Sequence, residues 1–380
     1  MKGDIQMNYR KFPGVDVEVS ALGMGCMRLP VQDVEGKPID RPEAIKLIRH
    51  AIDSGVNYVD TAWGYHNEDS EVLVGEALLD GYREKVVLAT KLPVWKVEKY
   101  EDMEMLLDIQ LSRLQTDHVD FYLLHALDSK RFDKVNELGV LKFLDEMVAK
   151  GKIKYPSFSY HGDAEGFKHI IDAYPWKMAQ IQINVLDEFN QATYEGAKYA
   201  YDKGIGIVVM EPLRGGALTK TVPADVQKLY DAASVKRTPA DWAFRWVIDK
   251  PEFIVTLSGM SNMEQLDENI KIFSECAEGC LSAEETELML QVRKTYESRV
   301  KVGCTGCEYC QPCPVEIKIP AIFRGYDQAA IFDNMEPFYE RYRKEFDASV
   351  CAECGACEAA CPQHIAIRDM LKQIHAEANA

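Results

Sequence analysis

No stretch of this 380-residue chain is apolar for long enough to cross a bilayer. Its polar, charged start, residues 1–9, has no apolar run of the kind that opens a secretory signal, so export is not expected. Positive charge is scarce as well: 44 lysines and arginines stand against 61 aspartates and glutamates, a net charge of −17. A surface of that sign repels phosphate backbones, which argues against nucleic acid as a partner. No glycine-rich phosphate loop follows the first strand-like run, because Gly23-Met24-Gly25-Cys26 lacks the spacing that cradles a pyrophosphate. Disorder finds no support either, since 47% of the residues are hydrophobic and can fill a sizeable core. The expectation is a soluble, acidic, cytoplasmic globular protein.

What the chain does contain is alternation. Residues 7–19 read as a hairpin turning at Pro13-Gly14. Strand-like runs follow at 20–28, 56–62, 85–92, 118–125, 152–159, 178–185, 205–211 and 253–258. Between and after them lie helical patterns, among them 68–79, 101–114, 135–150, 191–203 and 263–273. Asp40-Arg41-Pro42 signals one helix start and Thr238-Pro239 another. Eight strand–helix pairs within about 250 residues predict an α/β fold of the (β/α)8 or TIM-barrel type.

In such a barrel chemistry gathers at the C-terminal strand ends. Three ends carry reactive groups: Asp60 with Tyr65 on the turn beyond it, Lys91, and His125. Reducing a carbonyl needs a hydride at carbon and a proton at oxygen. A phenol of pKa about 10 is a weak proton donor alone. A neighbouring ammonium, Lys91, would lower that pKa, Asp60 would hold the ammonium, and His125 would orient the carbonyl without ionising. Each has an ordinary alternative taken singly, Tyr65 as one of 18 tyrosines and His125 as a strand cap. Together they outweigh it.

In order and spacing, Val59-Asp60-Thr61-Ala62 with Tyr65, Thr90-Lys91 and Tyr122-Leu123-Leu124-His125 resemble the catalytic tetrad of the aldo-keto reductases. Leu22-Gly23-Met24-Gly25 and Gly151-Lys152-Ile153-Lys154 are similar too, and the resemblance spans residues 7–275. It implies hydride transfer between NAD(P)H and a small carbonyl or alcohol. It also implies Ser159 and Gln180 against the nicotinamide carboxamide, with Met210 at the ring where the family usually has tyrosine. Tyr160 likewise stands where asparagine is usual. Pro212, Leu213 and Arg214 would lie in the turn near the pyrophosphate, and Gly259, Gln265, Glu268 and Asn269 around the adenosine. Gly259 and Gln265 replace the lysine and arginine that grip a 2′-phosphate, and no basic residue stands between Gly259 and Asn269. NADH is therefore expected to bind at least as well as NADPH. The loops after the strands offer Trp95, Leu127 and Leu218 but no charge pattern that identifies a substrate.

Eight of the 11 cysteines crowd into two runs, Cys304, Cys307, Cys310, Cys313 and Cys351, Cys354, Cys357, Cys361, each closed by proline. The second run has bacterial-ferredoxin spacing; the first has two residues before its last cysteine instead of three. Zinc asks for four ligands, and eight in two runs of four favour iron–sulfur. Two [4Fe–4S] clusters are expected, with Cys313 completing the second and Cys361 the first. Helical apolar spacing over 319–349 predicts a mainly helical ferredoxin-like module. The expected division is a barrel over 1–280, a helical linker over 281–303 and a cluster domain over 304–380. Cys26, Cys276 and Cys280 are read as structural, the last two on one helix face. Two further readings stay open: a nicotinamide-binding redox sensor, and an electron-transfer subunit whose clusters serve a ferredoxin or flavoprotein partner. Retention of the whole tetrad favours the enzyme.

Overall fold

A computed structural model describes residues 6–380; of the polar start, residues 1–5 lie outside it. The chain forms two compact units. One runs to Gly215 and resumes over Asp241–Ala283; the other comprises Gly216–Ala240 and Glu284–Ala380. Compactness thus divides the chain differently from the expected lines at 280 and 303.

The first unit is the barrel. Strands β1 (Tyr9–Lys11) and β2 (Glu18–Ser20) pair antiparallel, with Gly14 at φ 66° in the turn. Eight parallel strands follow: β3 (Leu22–Gly25), β4 (Tyr58–Asp60), β5 (Val87–Leu92), β6 (Val119–Leu127), β7 (Ile153–Tyr160), β8 (Met178–Gln182), β9 (Gly206–Met210) and β10 (Phe253–Ser258). They hydrogen-bond in sequence order, and β10 closes the ring against β3. Their apolar runs suit strands covered on both faces. The β1–β2 hairpin drives Phe12 into the N-terminal mouth, where its ring lies 4.9 Å from Phe121 and 6.4 Å from Tyr58. Gly206 makes room for it: a Cβ there would meet Phe12 at 2.4 Å. With that end plugged by side chains, the C-terminal end is left for chemistry.

Several elements depart from their sequence-based bounds. The run 20–28 divides between β2 and a four-residue β3, because the chain leaves the sheet at Cys26. The run 56–62 shortens to Tyr58–Asp60. The helix expected over 135–150 is two, Ser129–Glu137 and Val140–Ala149, broken at Gly139 with φ 87°. After β9, helices Ala217–Lys220 and Ala224–Ala232 occupy what read as a loop. Helix Arg41–Asp53 starts where its signal placed it, with the Asp40 carboxylate accepting from the Glu43 amide. Cys276 lies beyond the end of helix Met263–Glu275 and is joined to Cys280 in a disulfide, so the two do not share a helix face. Cys26 is fully buried.

In the second unit, helices Ile319–Ile331, Met335–Glu345 and Ile367–Ala378 pack around Ile322, Phe323, Tyr326, Phe338, Tyr342 and Ile374. The buried Asp327 carboxylate accepts from the backbone amides of Lys301, Val302 and Gly303, fixing the chain just before Cys304. Arg299 pairs with Asp225 at 2.9 Å and Asp333 at 3.4 Å, binding residues 216–240 into this unit. Among the described residues, no helix is long and apolar enough to cross a membrane.

Candidate functional site

Asp60 on β4 is in register with Ala89 on β5, so Lys91, two residues on, points to the same side. Lys91 Nζ donates to Asp60 Oδ1 at 2.7 Å, to the Thr61 carbonyl at 2.8 Å and to the Tyr65 hydroxyl at 3.3 Å. The ion pair is dry, its side chains 1% and 3% exposed. Behind it a buried network steadies β5: Gln110 donates to the Lys91 carbonyl, and the Glu71 carboxylate accepts from Thr90 Oγ1 and Gln110.

Burial and charge pull these groups in opposite directions. Burial disfavours the Lys91 cation, but Asp60 and Tyr65 outweigh it, and the lysine pKa rises. For Asp60 burial outweighs Lys91, and its pKa rises as well. The proton of the pair accordingly rests on Lys91. For Tyr65 burial is the largest influence and raises the pKa, while Lys91 pulls it down less strongly. The expected net lowering of the phenol is thus corrected: Lys91 acts in that direction, and desolvation wins.

His125 sits at a bulge, where the β6–β7 register slips between Leu124 and Leu127 and Ala126 has φ 53°. The Ala126 amide donates to Ser159 Oγ at 2.7 Å, and Arg131 donates to the Ala126 carbonyl at 2.6 Å. These bonds aim the imidazole at Tyr65, whose ring centroid is 6.1 Å away, with Trp95 at 5.1 Å. Burial first, then Lys91, pushes the His125 pKa down to about 2, so the ring is neutral. Its buried Nδ1 has no hydrogen-bond partner among the described residues.

Ser159 and Gln180 are in register on β7 and β8. Gln180 Nε2 points at the Met210 sulfur, 3.7 Å away, and its buried Oε1 has no partner among the described residues. A primary carboxamide would satisfy that acceptor, and the Ser159 hydroxyl, which accepts from Ala126, keeps its own proton to donate. The turn after β9 is left-handed at Glu211 (φ 57°), Arg214 (φ 51°) and Gly215 (φ 67°). Asn184 donates to the Glu211 carbonyl at 3.0 Å, and Arg214 Nε lies 3.7 Å from the buried Asp187. Pro212 is buried within the turn and Leu213 half-buried.

Beyond β10, Gln265 Oε1 accepts from the Ser261 amide, and Asn262 caps the helix on which Glu268 and Asn269 lie. Asn269 is buried and donates to Ser258 Oγ at 3.0 Å. The residue missed in the sequence is Arg28. Its side chain lies over Gly259, where a Cβ would meet it at 3.2 Å, and its guanidinium pairs with Glu211 at 2.9 Å. A basic group therefore does reach this corner from β3, β10's neighbour in the closed ring.

The cysteines line two cavities in the second unit. Cys313, Cys351, Cys354 and Cys357 face one. Cys304, Cys307 and Cys361 face another, and Cys310 borders both. Among the described residues no three metal-binding side chains converge tightly enough for a single ion.

These features define a barrel oxidoreductase with a cysteine-lined companion module. The sequence pattern of the aldo/keto reductase family matches residues 21–278, and the chain belongs to that family. The pattern of 4Fe-4S dicluster domains matches residues 303–366. "Probable aldo-keto reductase 1" of Glycine max is 28% identical in an alignment that covers 67% of this chain and 80% of that protein. Among solved structures, the holo form of an aldo-keto reductase from Bacillus halodurans superposes with a TM-score of 0.64 at 24% identity, covering 76% of this chain and 96% of that one. An aldo-keto reductase from Klebsiella pneumoniae in complex with NADPH gives 0.60 at 22%, covering 76% and 95%. At those identities the two structures speak for the fold.

Proposed function

We propose that the barrel transfers a hydride between NAD(P)H and a small carbonyl or alcohol, with Tyr65 as proton donor. The observation that carries this reading is Lys91 Nζ reaching both the dry Asp60 carboxylate and the Tyr65 hydroxyl beside a neutral His125. When bound, the nicotinamide supplies the hydride. Tyr65 holds a proton at its hydroxyl at neutral pH and passes it to the carbonyl oxygen, and Lys91 stabilises the phenolate left behind. Asp60 keeps Lys91 charged and aimed. His125 donates a hydrogen bond that orients the carbonyl. Gln180 and Ser159 would hold the carboxamide with Met210 against the ring, and Pro212, Leu213 and Arg214 would border the pyrophosphate. Gly259, Gln265, Glu268 and Asn269 would line the adenosine end. Anaerobic mixing with NADH and a panel of aldehydes and ketones tests the reading; failure of every carbonyl to oxidise the nicotinamide would contradict it.

NADH is expected to bind at least as tightly as NADPH. Arg28 lies against Gly259, but the Glu211 carboxylate is already paired with it and would repel a 2′-phosphate. Titration of both cofactors decides this. Tenfold tighter NADPH binding, about 1.4 kcal/mol, would overturn it, and loss of that preference in Arg28→Ala would name the cause.

For the second unit we propose two [4Fe–4S] clusters, one on Cys304, Cys307, Cys310 and Cys361, the other on Cys351, Cys354, Cys357 and Cys313. A hydride carries two electrons whereas a cluster takes one at a time, and no flavin fingerprint stands in the sequence to mediate. The clusters would therefore exchange electrons with a separate protein such as a ferredoxin or flavoprotein. Anaerobically purified protein is expected to contain iron and sulfide for two clusters, and NADH alone is expected not to reduce them quickly. Stopped-flow absorbance with electron paramagnetic resonance checks this; rapid reduction by NADH without a partner would count against it.

A further inference from the structure

The three residues after Tyr65 are all left-handed: His66 at φ 50°, Asn67 at φ 54° and Glu68 at φ 71°. Histidine and asparagine visit that region singly, but three non-glycine residues in succession are not held there by local preference. Such a run persists where its surroundings over-determine it. Two anchors do so here. On one side His66 Nε2 accepts from the Leu29 amide at 3.1 Å, next to the Arg28 that lies over Gly259. On the other, Glu68 bridges Lys96 at 3.1 Å and Arg113 at 3.0 Å. Lys96 follows Trp95, the ring beside His125, and Arg113 also holds the buried Glu71 at 3.2 Å.

We propose that this turn is a built strut and that His66 and Glu68 are positioning residues for the Tyr65 hydroxyl. The two anchors hold the turn that carries Tyr65 from either side of β4, the first from the loop after β3 and the second from Lys96, beyond β5, and Arg113, on helix Tyr100–Leu114. Neither side chain needs to touch substrate to do this. The inference rests on Tyr65 being the proton donor.

The test is steady-state kinetics of His66→Ala, His66→Gln and Glu68→Ala, with Tyr65→Phe in parallel and circular dichroism as a check on folding. Both alanine variants should lose about 10- to 100-fold in kcat, the scale of a misplaced reacting group, with KM and cofactor Kd little changed. His66→Gln keeps an acceptor at similar reach and should recover most of the loss. A wild-type kcat in both alanine variants overturns the inference, as does a fall in kcat matched by an equal loss of cofactor binding, or no recovery in His66→Gln. Should His66→Ala not fold, Glu68→Ala, at a half-exposed position, decides by the same kcat and KM criterion. If Tyr65→Phe is fully active, the proton-donor reading fails first; if it is inactive while the turn variants are normal, only the strut fails.

Discussion

Tyr65→Phe is expected to slow carbonyl reduction about 10²- to 10⁴-fold, the usual contribution of a general acid, while leaving the Kd for reduced nicotinamide nearly unchanged. The phenol touches Lys91 through its hydroxyl alone in hydrogen bonding, so phenylalanine removes the proton and one bond without emptying the space. Burial raises the Tyr65 pKa above its ordinary value, which keeps the phenol protonated through neutral pH and ready to donate. Lys91 acts after the proton has left, when an ammonium 3.3 Å away stabilises the phenolate. Rapid-mixing kinetics beside equilibrium cofactor titration measure both quantities. A mutant with wild-type turnover would take Tyr65 out of the mechanism.

Lys91→Met is expected to be worse, because it damages both fold and chemistry. It removes the partner of a carboxylate that is 3% exposed, and stranding one member of a buried pair typically costs about 3–5 kcal/mol. Asp60 would relieve part of that cost by taking up a proton, which Asp60→Asn mimics. The double variant should therefore be more stable than Lys91→Met alone in denaturant unfolding, while remaining as inactive. The pH profile carries a signed prediction. Lys91 pulls the Tyr65 pKa down against burial, so its loss lets that pKa rise further. Carbonyl reduction needs the protonated phenol, and any residual activity should keep its alkaline limb to higher pH than the wild type. An unaltered profile at full activity would remove Lys91 from the proton transfer.

Much of this was legible in the sequence because it depends on order and period. Strand residues 253–258 and the Asp40 cap fell where local chemistry placed them. What escaped depends on closure of the ring and on backbone sign. Arg28 and Gly259 are far apart in sequence and meet because the last strand pairs with the first. The residues between Gly259 and Asn269 carry no trace of a cation that arrives from β3's side. The bulge that aims His125 adds one residue to an otherwise regular alternation, so β6 reads as ending at His125 when it continues to Leu127. The left-handed turn after Tyr65 contains no glycine to announce it. Nor does net composition predict whether burial or an adjacent ammonium controls a phenol. That answer required knowing how dry the site is.

Transfer of a hydride to a carbonyl carbon and of a proton from Tyr65 to its oxygen is tested most directly by isotope labelling. The anaerobic protein would be given NADH deuterated at its transferable position and a carbonyl it reduces, with the alcohol analysed by mass spectrometry. One deuterium is expected on the carbinol carbon, with an exchangeable solvent-derived proton on oxygen and no such product from Tyr65→Phe on the same timescale. Deuterium released to solvent, or equal transfer by Tyr65→Phe, would contradict it.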